Sequence, residues 1–131
     1  MRKTVVLFAA CRCLAGDALT GVLSGLGHNL ELITVESYDE LMRAVRDGEA
    51  QLFIFAGQNE GSIELTCEIR LQNKQAILVS CCDRIVGGSF DYIVNVSDPS
   101  GPATLRSLVG DFDRGKLRPA PVKIGLQELA A

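Results

Sequence analysis

The chain is constrained above all by short apolar runs, rich in β-branched and aromatic residues, that alternate with segments of helical spacing. Residues 5–10 (Val-Val-Leu-Phe-Ala-Ala) and 52–55 (Leu-Phe-Ile-Phe) are apolar throughout. A strand with one face in water would alternate, so a continuous run implies burial on both faces, as in the centre of a parallel sheet. Strands are expected at residues 4–10, 31–35, 52–55, 75–80 and 91–96.

Parallel neighbours need crossovers, and these are normally helices. In residues 14–26, Leu14, Ala18, Leu19, Val22 and Leu26 fall at helical spacing, and Gly27 supplies a stop. Ser37 followed by Glu40 reads as a capping box, opening a helix that turns Leu41, Ala44 and Val45 inward until Gly48 ends it. Residues 62–72 are ambiguous, because Ile63, Leu65, Cys67, Ile69 and Leu71 alternate as in a half-buried strand, whereas a helix there carries apolar groups on two sides. The need for a crossover favours the helix. In residues 102–112, Leu105, Leu108, Val109 and Phe112 lie at i, i+3, i+4 and i+7, one apolar stripe.

Five strands alternating with helices predict an α/β fold, a five-stranded parallel doubly wound sheet. In such sheets the functional crevice lies beyond the carboxyl ends of the strands, where the strand order reverses. That directs attention to residues 9–13, 56–59, 80–82 and 95–96.

A chain of 131 residues that is 47% hydrophobic can bury a full core without disulfides or metal, and it is not intrinsically disordered. No run reaches the roughly 18 apolar residues of a membrane span, so a soluble protein is expected. Residues 1–113 carry 9 basic and 15 acidic side chains, a poor surface for nucleic acid, while Arg114, Lys116, Arg118 and Lys123 make the tail basic. We read residues 1–114 as one domain. Residues 115–131, with Pro119 and Pro121, read as a basic linker or the start of a further domain, apolar from Leu126.

Cys11, Cys13, Cys67, Cys81 and Cys82 are odd in number and have no framework spacing, which fits reduced thiols in the cytoplasm. The stretch from Met1 to Cys11 imitates a lipoprotein signal, but six apolar residues fall short of the roughly 7–15 such a signal needs. His28 reads as a solvated loop residue, with no Ser/His/Asp or Cys/His set around it. Residues 58–61 form a polar turn without the Lys and Ser/Thr of a phosphate loop.

The order and spacing of these segments, from residue 3 to about 114, resemble the receiver domain of two-component response regulators. Residues 61–70 (Gly-Ser-Ile-Glu-Leu-Thr-Cys-Glu-Ile-Arg) are similar to a receiver third helix, residues 75–80 to its fourth strand and residues 91–95 to its fifth. The resemblance implies receiver, or flavodoxin-like, topology. In that family a phosphoryl group passes to an aspartate ending the third strand, an acidic pair after the first strand holds Mg²⁺, and a lysine after the fifth contacts the phosphoryl group. Such chemistry needs cations to offset the charge on the transferred group. Here the acidic-pair positions are Ala9 and Ala10, the phosphoacceptor is Ala56, and the lysine is Asn95, followed by Val96 in place of proline. Ser80 remains at the switch hydroxyl position and Tyr92 at the switch aromatic position. Asp17 and Glu60 read as solvated carboxylates.

The resemblance therefore implies a degenerate pseudo-receiver: not an enzyme, with no cofactor and no metal. It would act by homodimerisation or by docking a signalling partner, without membrane attachment, and would touch nucleic acid only through a possible further domain of a transcriptional regulator. Eleven residues separate Ser80 from Tyr92, so the family's fourth helix is expected to be short or lost. The expected contact residues are Tyr92, Leu105, Leu108, Val109 and Phe112. If a small ligand replaces phosphorylation, it would bind among Ala9, Ala10, Ala56, Ser80 and Asn95. A rival reading gives Cys11/Cys13 and Cys81/Cys82 a zinc site or thiol chemistry, although CxC and CC are not the usual zinc spacings. Residues 13–16 also faintly resemble the cysteine loop of phosphocarrier subunits of the sugar phosphotransferase system, which would need a thiol of depressed pKa.

Overall fold

A computed structural model of the chain describes residues 3–8, 21, 23, 30–48, 50–56, 62–82, 90–95 and 99–117. Five strands form one parallel sheet: β1 (Lys3–Phe8), β2 (Leu30–Val35), β3 (Ala50–Ala56), β4 (Ile77–Cys82) and β5 (Tyr92–Asn95). Their spatial order is β2-β1-β3-β4-β5. This is the doubly wound order of flavodoxin-like folds, receivers among them, and it reverses between β1 and β3.

Three helices complete the described architecture: α1 (Tyr38–Asp47), α2 (Ser62–Gln72) and α3 (Gly101–Asp113). The apolar runs are buried on both faces, as their composition requires. On one face Val6, Phe8, Phe53, Phe55 and Leu78 meet Leu41, Met42 and Val45 of α1 and Leu65 and Ile69 of α2. On the other, Val5, Leu7, Leu52, Ile54 and Val79 meet Leu105, Val109 and Phe112 of α3, together with Leu23. Gly21 and Leu23, the described part of the 14–26 segment, are helical. The question posed by residues 62–72 is settled as a helix.

Helix ends follow local chemistry. Ser37 Oγ accepts the Glu40 N–H at 3.2 Å, and Gly48 takes φ +70°, a left-handed cap that any side chain would strain. At the end of α3, Gly115 (φ +71°) donates its N–H to Phe112 O at 3.0 Å and Lys116 donates to Asp111 O at 2.8 Å, the two bonds of a Schellman motif. The turn carries Leu117 back against the core. Lys3 Nζ donates to Phe112 O at 2.8 Å and Asp113 O at 3.0 Å, placing a cation on the last carbonyls of α3.

Two strands start later than the apolar pattern implies. Residues 75–76 belong to a turn, because Asn73 accepts from Gln75 N at 3.1 Å through its side chain and from Ala76 N at 3.2 Å through its carbonyl. Asp91 stops just short of β5 for a reason given below. The expected loss of the fourth helix falls on residues 83–89, outside the described residues. So does the tail beyond residue 117.

Candidate functional site

The carboxyl edge of the sheet, at the β1/β3 reversal, is where this topology places a site. β3 ends there at Ala56, and the register sets Ala56 beside Cys81 and Phe55 beside Ser80. Ala56 is 5% exposed, Cys81 0% and Ser80 1%. Alternation along the strands sends Ala56 and Cys81 into the α3-side core, so Ser80, one rung earlier, lies on the opposite face. The third-strand position and the switch hydroxyl position are thus neighbours in the ladder without sharing a face.

Beneath this edge, three phenyl rings close the α1/α2 face. Phe55 packs edge-on against Phe8 (centroids 5.7 Å apart, planes at 89°) and against Phe90 (5.3 Å, 74°). Such T-shaped pairs set the positive rim of one ring on the negative face of the next. The described residues at this edge are therefore a methyl group, a thiol and aromatic rings, with the buried Ser80 hydroxyl beside Phe55.

The remaining expected site residues separate into three groups. Ala9, Ala10, Cys11 and Cys13 lie outside the described residues, as do the side chains of Cys82 and Asn95, whose backbones pair across β4 and β5. Tyr92 is half-buried against the α3-side core, paired with Val79 at the start of β5. Leu105, Val109 and Phe112 are 0%, 1% and 4% exposed, and Leu108 is half-buried, so the stripe expected to meet a partner faces the sheet of its own chain. The outer face of α3 consists instead of Pro102, Ala103, Thr104, Arg106 and Ser107.

Of the cysteines, Cys81 is a buried thiol, whereas Cys67 is exposed on α2, away from the carboxyl edge. Among the described residues no three His, Cys, Asp or Glu side chains converge as metal ligands. A cavity of about 20 Å³ lies between α3 and strands β1 and β2, lined by Val5, Leu23, Leu30, Leu32 and Val109. It is apolar and scarcely larger than one water, too small for a metabolite. No described helix is long and apolar enough to cross a membrane.

Two polar features escaped the reading of the sequence. Asp91, with its carboxylate wholly buried, accepts the Leu78 N–H at 2.6 Å and pairs with Arg70 of α2 at 3.0 Å, while its own N–H donates to Leu78 O at 2.8 Å. It thereby pins the start of β5 to β4 and to α2. The available signal was a carboxylate next to an apolar run, which must find partners if buried. On the surface, the Tyr38 hydroxyl donates to the Glu68 carboxylate and Arg46 Nε donates to Gln72 Oε1 at 3.3 Å, lacing α1 to α2. The bond to Glu68, then burial and the repulsion of that carboxylate, raise the Tyr38 pKa above the ordinary 10.0.

No family model and no curated protein matches this chain.

Proposed function

We propose that the chain is a receiver-like regulatory domain that acts by association with another protein chain and takes no phosphoryl group. One observation carries the reading. In a sheet of order β2-β1-β3-β4-β5, the position ending β3 holds Ala56, whose methyl group is buried beside Cys81. Phosphoryl transfer at that position needs an oxygen nucleophile and cations to offset charge. Ala56 supplies neither, and the sequence has alanine at both acidic-pair positions and asparagine at the lysine position.

What is left of a receiver is a rigid parallel scaffold whose outer helical surfaces are free to be recognised. On this reading the domain works in the cytoplasm, and its partner is a second copy or another signalling protein. Any action on transcription passes through a further domain.

Sedimentation velocity on the reduced protein, with and without Mg²⁺ and beryllofluoride, tests this directly. The expected result is an association state indifferent to both additions. A shift in sedimentation with beryllofluoride, a mimic of the aspartyl phosphate, would mean that an acceptor carboxylate exists and that the reading is wrong.

A further inference from the structure

The outer face of α2 holds a set of side chains that the fold does not use. Leu65 and Ile69 turn into the core, Glu68 and Gln72 bond to Tyr38 and Arg46 of α1, and Arg70 reaches Asp91. That leaves Glu64, Cys67 and Leu71 pointing outward, with Lys74 in the turn just after the helix, and all four are exposed. Leu71 is 81% exposed, against 39% for Ile33 and 46% for Tyr38. Among the described residues neither Glu64 nor Lys74 enters an ion pair.

Glu64, Cys67 and Leu71 step by three and four residues along the helix, the spacing of the seam along which two helices pack, and Lys74 follows in the turn beyond its end. The order along that seam is acid, thiol, leucine, base. Such a row is complementary to itself only when reversed. Antiparallel pairing about a two-fold axis sets Cys67 against Leu71 of the second copy and Glu64 against Lys74 of the second copy, each contact made twice. Parallel pairing would instead face Glu64 with Glu64 and Lys74 with Lys74, placing like charges together.

We infer that this face of α2 is where a second copy of the chain docks, antiparallel and two-fold symmetric. The inference rests on the reading of the domain as an association module and names the surface that module uses. The apolar centre is small, so the dimer is reversible and concentration-dependent, at the lower end of interface sizes.

The test is sedimentation velocity on the full reduced chain over a wide concentration range, with far-UV circular dichroism to confirm folding. L71E buries a charge in the seam and should raise the dimer dissociation constant at least about tenfold. E64K and K74E should each raise it about fivefold by facing like charges twice over, while E64K/K74E exchanges the two ends of the seam and should restore wild-type affinity to within about twofold. The double exchange does not involve Leu71, so it decides the matter even if L71E misfolds. A dimer indifferent to L71E, or a double variant weaker than either single one, overturns the α2 seam and leaves association through another face. A wild-type chain that stays monomeric throughout overturns the second copy as occupant, and the association reading then stands on a heterologous partner.

Discussion

With its carboxylate excluded from water, Asp91 is stabilised by the Leu78 N–H and by Arg70, which both meet it. Removing the carboxylate takes the acceptor from the buried Leu78 N–H and a counter-charge from the part-buried Arg70. D91A is therefore expected to lower the free energy of unfolding by about 3–5 kcal/mol in urea titration. D91N keeps an acceptor for Leu78 N–H and should cost less, about 1–3 kcal/mol; equal losses would show that the hydrogen bond contributes nothing beyond the ion pair. Tyr38 makes a different prediction, governed by pH. Its pKa is raised in the folded chain above 10.0, so the stability it contributes is complete below that pH and is lost as pH rises through the folded value. Ultraviolet titration of Y92F, in which Tyr38 is the remaining phenol, should give a midpoint above 10.0, and E68Q should bring it down. A Y92F midpoint at the ordinary value would remove the bond to Glu68 from the account.

At the scale of elements, periodicity announced α3 correctly and left its purpose open. Leu105, Val109 and Phe112 make one stripe, but a stripe has the same spacing whether it meets its own sheet or a neighbouring molecule. Here it meets the sheet. L105A should cost about 2–5 kcal/mol of stability, while the protein that remains folded keeps its association state; a loss of association at unchanged stability would mean that the stripe faces a partner. Residues 62–72 were harder to read for a physical reason. Leu65 and Ile69 serve the core while Cys67 and Leu71 face out, so apolar side chains on two sides of one helix produce the alternation that a half-buried strand would show. The N-cap at Ser37 was legible because its signal is local. The true starts of β4 and β5 were not, since the Asn73 amide and the Asp91 carboxylate set them by bonding to backbone, which hydropathy does not register.

For the whole molecule, a parallel doubly wound sheet followed from alternation and crossover rules and its strand order was implied by the receiver resemblance, whereas the neighbours at the carboxyl edge were not legible, because pairing Ala56 with Cys81 depends on a register that distant segments decide together. β1, β3 and β4 are each flanked by strands on both sides, with β2 and β5 at the rims. Hydrogen exchange should accordingly be slowest at Val6, Leu7, Phe53 and Ile54 and faster along Leu30–Val35 and Tyr92–Asn95. Uniform protection across all five strands would indicate that only global unfolding exposes them. The contact of Lys3 with the carbonyls of Phe112 and Asp113 has a consequence for how the chain could be strung. The first strand and the last described helix meet at the amino edge, so a short linker would close them into a ring without moving either. New ends could then be cut into a crossover, and a permuted chain would reach the same sheet by a different itinerary.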